Sequence, residues 1–487
     1  KPVLGGGLVH LTFTVEWSVP LARSRIKAIW PADKPLHFRS KELDLKPRVE
    51  TSGDSTVYVW ERRNEAPVIA QPNLPPDIPA YGYIEMSSTT DWQDVVDVTL
   101  PHYRLDKELP AAFVARLDTI AARFPKPDDR LVETSRLVQD DIRYVSLSIG
   151  SGSHIPRPPA EVLASGFGDC KDKSLLLATA LARLGITASV ALTDIDEGPA
   201  LRDRLPGIPL FDHMIVKAVI GAEVYWIDPT VYLQGGRAED LAPPTYGYAL
   251  PLERTGAQLE PIPSKPLLKP TVSVAETFTF PDAAGAPLTL GVKTTYLGAA
   301  ADTMRYRLRR ESIAKISDDY VRYYNGQYPG IRSVASLQTT DDRDANVVIV
   351  AERYELTADD LAADDLAKDF PLKGDFGLTE LPTPSRVGRT APIWLGHPFF
   401  KQHKSSVQNL KARFSAPADS EMVASPFAIL STVTSATDTT FEVTWNFITL
   451  TDRIPAAYLG KYLRTLDEMS ENSKWTFDFT YVAPSTE

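Results

Sequence analysis

The stretch GFGDCKDKSLLLATALARLGI, residues 166–186, predicts a helix whose two ends are marked by residue type. Asp169 is a residue that caps helix N-termini, and Gly185 is typical of the position just past a helix C-terminus. We therefore expect a helix over residues 170–184 that packs one apolar face into a core. This face consists of Leu175, Leu176, Ala178, Leu181 and Ala182.

Cys170 opens the predicted helix and is the single cysteine among the 487 residues. The positive end of the helix dipole and the unpaired N–H groups of the first turn can stabilise a thiolate there. Lys171 and Lys173 add positive charge nearby. A reactive nucleophile is one interpretation, and a small buried apolar residue is the other. One cysteine cannot form an intramolecular disulfide or a cysteine-based zinc or iron–sulfur site.

A cysteine nucleophile needs a base and a residue that orients the base, and His213 and Asp228 are the candidates. They lie on two predicted strands, 213–220 and 223–228, around Gly221 and Ala222. In a hairpin with a two-residue loop, paired positions have an odd sum, so His213 and Asp228 share a face as direct or diagonal neighbours. Taken singly, the histidine could be structural and the aspartate a turn cap before Pro229.

These segments, with FDHMIV (211–216), YWIDPT (225–230) and IRYVSLSIGSGSHIPRPP (142–159), resemble the transglutaminase-like cysteine protease superfamily. In that family a cysteine at a helix start is followed by His and Asp on neighbouring strands. The resemblance is specific over about residues 135–230. Elsewhere it concerns architecture alone, because the N-terminal region is similar to an uncharacterised β domain that precedes such cores in bacterial envelope proteins.

The resemblance implies a catalytic triad in which Cys170 is the nucleophile, His213 the general base and acid, and Asp228 the residue that holds the imidazole. The Cys170 N–H would donate to the oxyanion. Tyr144 is a candidate for the second oxyanion donor, and His154 and Asp169 are candidates for cleft residues. Tyr144 could equally be a packed strand aromatic and His154 a surface loop residue. No metal or cofactor is implied.

The order of predicted elements indicates an α+β protein with three domains. Residues 1–106 predict an N-terminal β-sandwich, 107–255 a transglutaminase/papain-like catalytic core, and 256–487 a β-rich domain with inserted helices. Alternating strands at 8–17 and 54–62 support the first domain, and helical patterns at 107–124 and 128–142 support the second. In the third we expect long helices at 300–326 and 454–470, a strand at 407–414, an acidic helix or loop at 357–369 and a closing strand at 475–482.

Charge and hydropathy limit the partners. A net charge of −11 disfavours a nucleic-acid surface and an anionic membrane. The sequence contains no run of about 18 apolar residues, so no membrane span is predicted. The chain begins with Lys1 instead of Met, which is compatible with removal of a signal peptide. The resemblance implies a periplasmic or secreted protein of the bacterial envelope that acts on peptides or proteins. The β domains could also bind a protein partner.

The expected chemistry is acyl transfer through a thioester on Cys170. Water would release an acid, as in a protease or amidase, and an amine would give transamidation. Both outcomes use the same three residues, so the sequence leaves them open. Two alternatives remain: a catalytically silent peptide-binding or protein-binding module that keeps the triad for structure, and a scaffold whose β regions carry the function.

Overall fold

The computed structural model describes residues 7–106, 108–146, 154–282, 286–357, 359–360, 370–374, 377–385, 388–396, 398–410 and 419–477. The chain divides into two compact units, Lys1–Leu233 with Ala242–Lys265 and Gln234–Leu241 with Pro266–Glu487. Each contains helices and strands, so the predicted mixed α and β character is present. The domain boundaries at 106 and 255 stay predictions.

The first unit begins with two three-stranded antiparallel sheets. Trp60 from one sheet and Ile84 and Met86 from the other share a small buried core. The sheets have the orders β1-β6-β3 and β2-β5-β4. Their strands are β1 (His10–Thr14), β2 (Leu21–Pro31), β3 (His37–Lys41), β4 (Arg48–Ser52), β5 (Ser55–Glu65) and β6 (Tyr83–Ser87).

Helices dominate the next part of this unit, and most residues of the last of these helices are buried. Its elements are α1 (Trp92–Thr99), α2 (Ala111–Arg123), α3 (Pro127–Asp141), β7 (Arg143–Tyr144), α4 (Pro159–Ser165), β8 (Phe167–Gly168) and α5 (Cys170–Arg183). Helix α5 buries four of the five residues predicted for its apolar face and leaves Ala182 exposed, and Gly185 follows the helix with a φ of 75°. The N–H groups of Gly185 and Ile186 donate to carbonyls of the last turn, which ends the helix.

A five-stranded antiparallel sheet supports helix α5. Its order is β11-β10-β9-β12-β13. The strands are β9 (Thr187–Thr193), β10 (His213–Ile220), β11 (Glu223–Ile227), β12 (Tyr248–Pro251) and β13 (Glu260–Pro261). Leu176 and Leu177 of α5 share one buried core with Val190 of β9 and Val216 of β10, so the start of α5 is fixed relative to these strands.

The second unit is built on a nine-stranded sheet. The order is β16-β18-β15-β14-β21-β24-β23-β22, with β17 also paired to β18, and β14 and β21 are parallel. The strands are β14 (Val272–Thr279), β15 (Leu288–Leu297), β16 (Arg332–Ser333), β17 (Gln338–Asp342), β18 (Val347–Leu356), β21 (Phe400–Gln408), β22 (Ser420–Ala424), β23 (Ala428–Ala436) and β24 (Thr440–Thr449). Two short pairs accompany it, β19 (Phe370–Lys373) with β26 (Lys474–Phe477) and β20 (Ile393–Trp394) with β25 (Arg453–Ile454).

The prediction of one long helix over 300–326 was wrong. The structure has α6 (Ala299–Arg310) and α7 (Ile313–Asn325), separated at Glu311 and Ser312. Ser312 is extended, and its hydroxyl accepts a hydrogen bond from the Lys315 N–H, so it caps a new helix. The C-terminal helix α8 spans Leu459–Asn472. Parts of three predicted segments lie outside the described residues. They are 358 and 361–369 of the acidic segment, 411–414 of the strand at 407–414, and 478–482 of the closing strand.

Candidate functional site

Helix α5 places Cys170 at its first position, between the N-cap residue Asp169 and the third helical residue, Asp172. Asp169 Oδ1 accepts from the Asp172 N–H at 3.2 Å, and Asp172 Oδ2 accepts from the Asp169 N–H at 3.4 Å. This reciprocal pair is a capping box, and it fixes the first turn. The Cys170 N–H belongs to the first turn, whose N–H groups have no intrahelical partner. The thiol is partly exposed, which leaves it accessible to a substrate.

Arg157 ties the segment before the cysteine to this helix start. Its backbone N–H and its Nε donate to Asp172 at 2.8 and 2.9 Å, and its guanidinium lies over the Phe167 ring at 4.8 Å. Sequence reasoning missed Arg157 and Asp172. The Asp at the third helical position was the available signal, because acidic residues there complete a capping box.

The two lysines after Cys170 are both buried, and Lys171 lines the cavity at Cys170 whereas Lys173 does not. Lys171 forms an ion pair with Asp169. Lys173 is 1% exposed, and its Nζ donates to the Gln139 carbonyl at 3.1 Å and the Ile142 carbonyl at 2.5 Å. Burial lowers the pKa of Lys173 to about 8. This lysine therefore satisfies carbonyls at the end of α3 and does not face the cleft of Cys170.

His213 and Asp228 meet through the hairpin of β10 and β11. The loop is the two-residue Gly221–Ala222, since Ile220 pairs with Glu223. Continuing that register makes His213 and Asp228 diagonal neighbours on one face. His213 Nε2 lies 2.8 Å from Asp228 Oδ2, and both side chains are buried.

The Asp228 carboxylate is saturated with hydrogen bonds. Oδ1 accepts from the N–H and the hydroxyl of Thr230, each at 2.7 Å. Oδ2 accepts from the Tyr246 hydroxyl at 2.7 Å as well as interacting with His213. Burial opposes the charged form, but the bonds to His213, Thr230 and Tyr246 outweigh it and lower the pKa of Asp228. The carboxylate is thereby held ionised beside the imidazole.

Tyr246 and Gln139 also support the pair, and sequence reasoning missed both. The Tyr246 ring stands edge-on to the His213 ring, with centroids 5.4 Å apart. Gln139 Nε2 donates to the backbone carbonyl of Asp228 at 3.0 Å. Tyr246 lies in the stretch PPTYGY and Gln139 on a distant helix, so neither position carries a local signal.

Opposing effects act on the pKa of His213. Burial lowers its pKa, but hydrogen bonds to Asp228 and to the Cys170 side chain raise it to about 10. Because Nε2 is bound to Asp228, Nδ1 is the ring nitrogen available to the Cys170 sulfur. The imidazole is therefore cationic at neutral pH, and such a cation stabilises a neighbouring thiolate.

A small cavity of about 70 Å³ lies at Cys170, and its lining includes the remaining candidates Tyr144, His154 and Asp169 together with His213. Asp169 Oδ1 accepts from the Asp172 N–H, and Asp169 Oδ2 pairs with Lys171. A carboxylate has no proton to donate to an oxyanion. Asp169 is thus a cap in contact with the cavity. Residues 147–153, part of the predicted strand YVSLSIG and of the loop after it, lie outside the described residues.

Tyr144 and His154 differ in how they could contribute. Tyr144 is half-exposed, and burial and the nearby Cys170 raise the pKa of its hydroxyl. It therefore stays a neutral donor. Burial and Lys171 lower the pKa of His154, so its ring is neutral at pH 7. The backbone carbonyl of His154 accepts from the Tyr103 hydroxyl at 2.8 Å, which fixes this end of the loop.

The described part of the chain contains neither a metal-binding cluster nor a membrane-spanning helix. Over these residues, no group of three or more His, Cys, Asp or Glu side chains is arranged to hold a metal ion. Within the same ranges, no helix combines the length and the apolar character needed to cross a membrane.

Comparison with known proteins supports the fold. Residues 1–69 match a family model described as a domain of unknown function with solved-structure structure (DUF3857). A crystal structure of a "putative protease" from Parabacteroides distasonis is similar over 97% of this chain and 75% of its own, with a TM-score of 0.60 and 12% identity. At this identity the likeness shows a shared fold. No curated protein matches the chain.

Two further solved structures match parts of the chain. A "putative cysteine protease" from Cytophaga hutchinsonii matches 46% of this chain and 75% of its own, at 14% identity and a TM-score of 0.20. The periplasmic domain of TgpA from Pseudomonas aeruginosa matches 44% and 72%, also at 14% identity and a TM-score of 0.20. With TM-scores of 0.20, these two structures carry no argument about the site.

Proposed function

We propose that the chain catalyses cysteine-dependent acyl transfer on peptide or protein amides, with Cys170, His213 and Asp228 as its catalytic triad. One observation carries the proposal. His213 is hydrogen-bonded to the buried Asp228 at 2.8 Å and lines the same cavity as Cys170, the single cysteine of the sequence, and both neighbours raise the pKa of His213, to about 10. A base, its orienter and a nucleophile are the parts that such chemistry needs.

The first step would be attack of the Cys170 thiolate on an amide carbonyl. Its oxyanion would lie near the Cys170 N–H, and the Tyr144 hydroxyl is the candidate second donor. His213 would then give its proton to the leaving amine, which breaks the C–N bond and leaves a thioester on Cys170. Asp228 stabilises the imidazolium before that transfer and holds the ring in place.

The second step would cleave the thioester by addition of a nucleophile that His213 deprotonates. Water gives a carboxylic acid, and a primary amine gives a new amide, with the thiol released in both cases. The proposed substrate is a peptide or protein chain, in keeping with the resemblance to cysteine proteases. A periplasmic or secreted location and a protein partner on the β regions stay predictions from that resemblance.

An acyl-transfer test needs no natural substrate. With p-nitrophenyl acetate, we expect a burst of nitrophenolate and an acetyl thioester that peptide mapping places on Cys170. His213→Ala should lose the burst, whereas His154→Ala, a histidine of the same cavity, should retain most of it. Absence of acylation, or equal acylation in His213→Ala, would favour the catalytically silent binding module.

A second experiment distinguishes hydrolysis of the thioester from transamidation. Dansylcadaverine added to the acylated enzyme should yield an acetylated amine if amines enter the cavity, and only acetate if water outcompetes them. Either product supports acyl transfer and assigns its class.

A further inference from the structure

A larger cleft, of about 820 Å³, lies in the second unit between the nine-stranded sheet and helices α6 and α7. The register places Val274 beside Thr294 and His403, and Val292 beside Glu352, so strands β14, β15, β18 and β21 present these residues on one face. The helices cover that face. Clefts of this size accommodate small organic ligands.

Tyrosines form one side of the cleft, called here the tyrosine wall: Tyr296, Tyr320, Tyr323 and Tyr324. The hydroxyls of Tyr296 and Tyr320 lie 3.1 Å apart, and the rings of Tyr323 and Tyr324 meet edge to face with centroids 5.1 Å apart. These contacts fix the rings. Aromatic faces carry partial negative charge and attract cations.

Glu352 lies in the lining of the same cleft and is 6% exposed. Its Oε2 accepts from the Tyr354 hydroxyl, and among the described residues its Oε1 has no hydrogen-bond partner. Burial, together with the charge of Glu276, raises the pKa of Glu352 to about 7. Over the residues that the structure describes, no cationic side chain forms an ion pair with this carboxyl group.

The neighbouring acid is differently placed. Glu276 accepts from the Tyr324 hydroxyl at 2.9 Å and the Ser405 hydroxyl at 2.8 Å, and its Oε2 lies 3.0 Å from His403 Nε2. These contacts occupy the Glu276 carboxylate, and Glu276 is not part of the cleft lining. Of the two buried acids, Glu352 lines the cleft and is the one that a ligand cation would contact.

The two basic side chains of the lining are paired with other carboxylates. Arg307 is paired with Asp319 at 2.6 Å and with Glu311 at 3.1 Å, and Lys401 is paired with Glu380. Both cations thus have carboxylate partners other than Glu352.

We propose that this cleft binds an organic ammonium group, with the tyrosine wall against the cation and Glu352 as its counter-ion. A buried carboxylate is unfavourable without a paired charge, and an ammonium ligand supplies that charge while its carbon atoms contact the rings. The volume admits a primary or a quaternary ammonium and the chain that carries it. The proposal does not depend on the chemistry of Cys170.

Calorimetric titration of the full chain tests it with matched probes. Choline and n-butylamine carry the charge, and 3,3-dimethylbutan-1-ol is the neutral isostere of choline. We expect at least one of the cations to bind ten or more times more tightly than the neutral alcohol. Tighter choline assigns a quaternary ligand, and tighter butylamine a primary one. Equal affinity for all three probes would refute the proposal.

Variants locate the binding. Glu352→Gln keeps the shape and removes the charge, so we expect a tenfold or greater loss for the cation and no change for the alcohol. Glu355→Gln removes a charge from the opposite face of the same strand and should change neither affinity. Unaltered cation binding in folded Glu352→Gln would also overturn the assignment. Iodoacetamide labelling of Cys170 should be the same in all these proteins.

Discussion

One buried histidine–carboxylate pair from each unit can be compared, because the two pairs have similar geometry; the first unit also buries a third pair, His10 with Glu85 at 2.9 Å. His213 Nε2 lies 2.8 Å from Asp228, and His403 Nε2 lies 3.0 Å from Glu276. In both, one tyrosine and one hydroxyl residue donate to the carboxylate. The difference is the thiol. Cys170 and His213 line the same cavity, whereas the His403 ring packs edge-on to Trp445. A buried histidine–carboxylate pair is thus insufficient evidence for catalysis.

The largest expected effect comes from removing the thiol. Cys170→Ala should abolish nitrophenyl acetate acylation, a loss of at least about a thousandfold, because it removes the single thiol of the sequence. His403→Ala should leave acylation intact. Burst kinetics measure both, with thermal unfolding as the control for folding. Residual acylation at the wild-type rate in Cys170→Ala would end the nucleophile assignment.

The next effect distinguishes the two histidines by thiol reactivity. A free thiol with a pKa of about 8.5 is only about 0.3% thiolate at pH 6. His213→Ala should therefore slow iodoacetamide labelling at pH 6 by up to about a hundredfold, and His403→Ala should not change it. Labelling rates between pH 5 and 9 give the measurement. Superimposable profiles for wild type and His213→Ala would remove the ion pair from the mechanism.

Matched tyrosine variants sharpen the comparison. Tyr246→Phe and Tyr324→Phe each remove one hydrogen bond to a buried carboxylate, and each should lower the free energy of unfolding by about 1–3 kcal/mol. Only Tyr246→Phe should also slow acylation, severalfold, because its bond supports the carboxylate beside His213. Denaturant unfolding and burst rates are the two readouts. A slower burst in Tyr324→Phe would contradict the separation of roles.

The smallest effect is a pH dependence of stability. The pKa of His213 is raised, so the pair with Asp228 contributes fully below the unfolded histidine pKa of about 6.5, and this stability is lost as pH rises through about 10. The pKa of Asp228 is lowered, so its contribution is present above about pH 4 and lost in acid. The difference in unfolding midpoint between wild type and His213→Gln should be largest near pH 6 and shrink by pH 10. A constant difference would contradict this linkage.

The sequence predicted best where the causes were local. The helix start at Cys170 followed from residue type, and the shared face of His213 and Asp228 followed from counting along a hairpin. Their catalytic roles stay a proposal. The break between α6 and α7 could have been recognised, because Ser312 is a typical N-cap residue.

Contacts between residues that are distant in the chain could not be predicted from the sequence pattern. Glu276 and His403 lie on the neighbouring parallel strands β14 and β21, far apart in the chain. Gln139 and Tyr246 reach Asp228 from other elements. Nothing in the local pattern of any of these residues indicates its partner.

The bond from Gln139 to the Asp228 carbonyl has a consequence for how the site forms. It joins positions 89 residues apart, and Lys173 links Gln139 in turn to the helix of Cys170. Closing such a long loop costs chain entropy before the contact returns any stability. Helix α5 packs on strands β9 and β10, which follow it in the chain, whereas Gln139 precedes it. We therefore expect iodoacetamide reactivity that depends on His213 to appear during refolding only after these separate segments have come together.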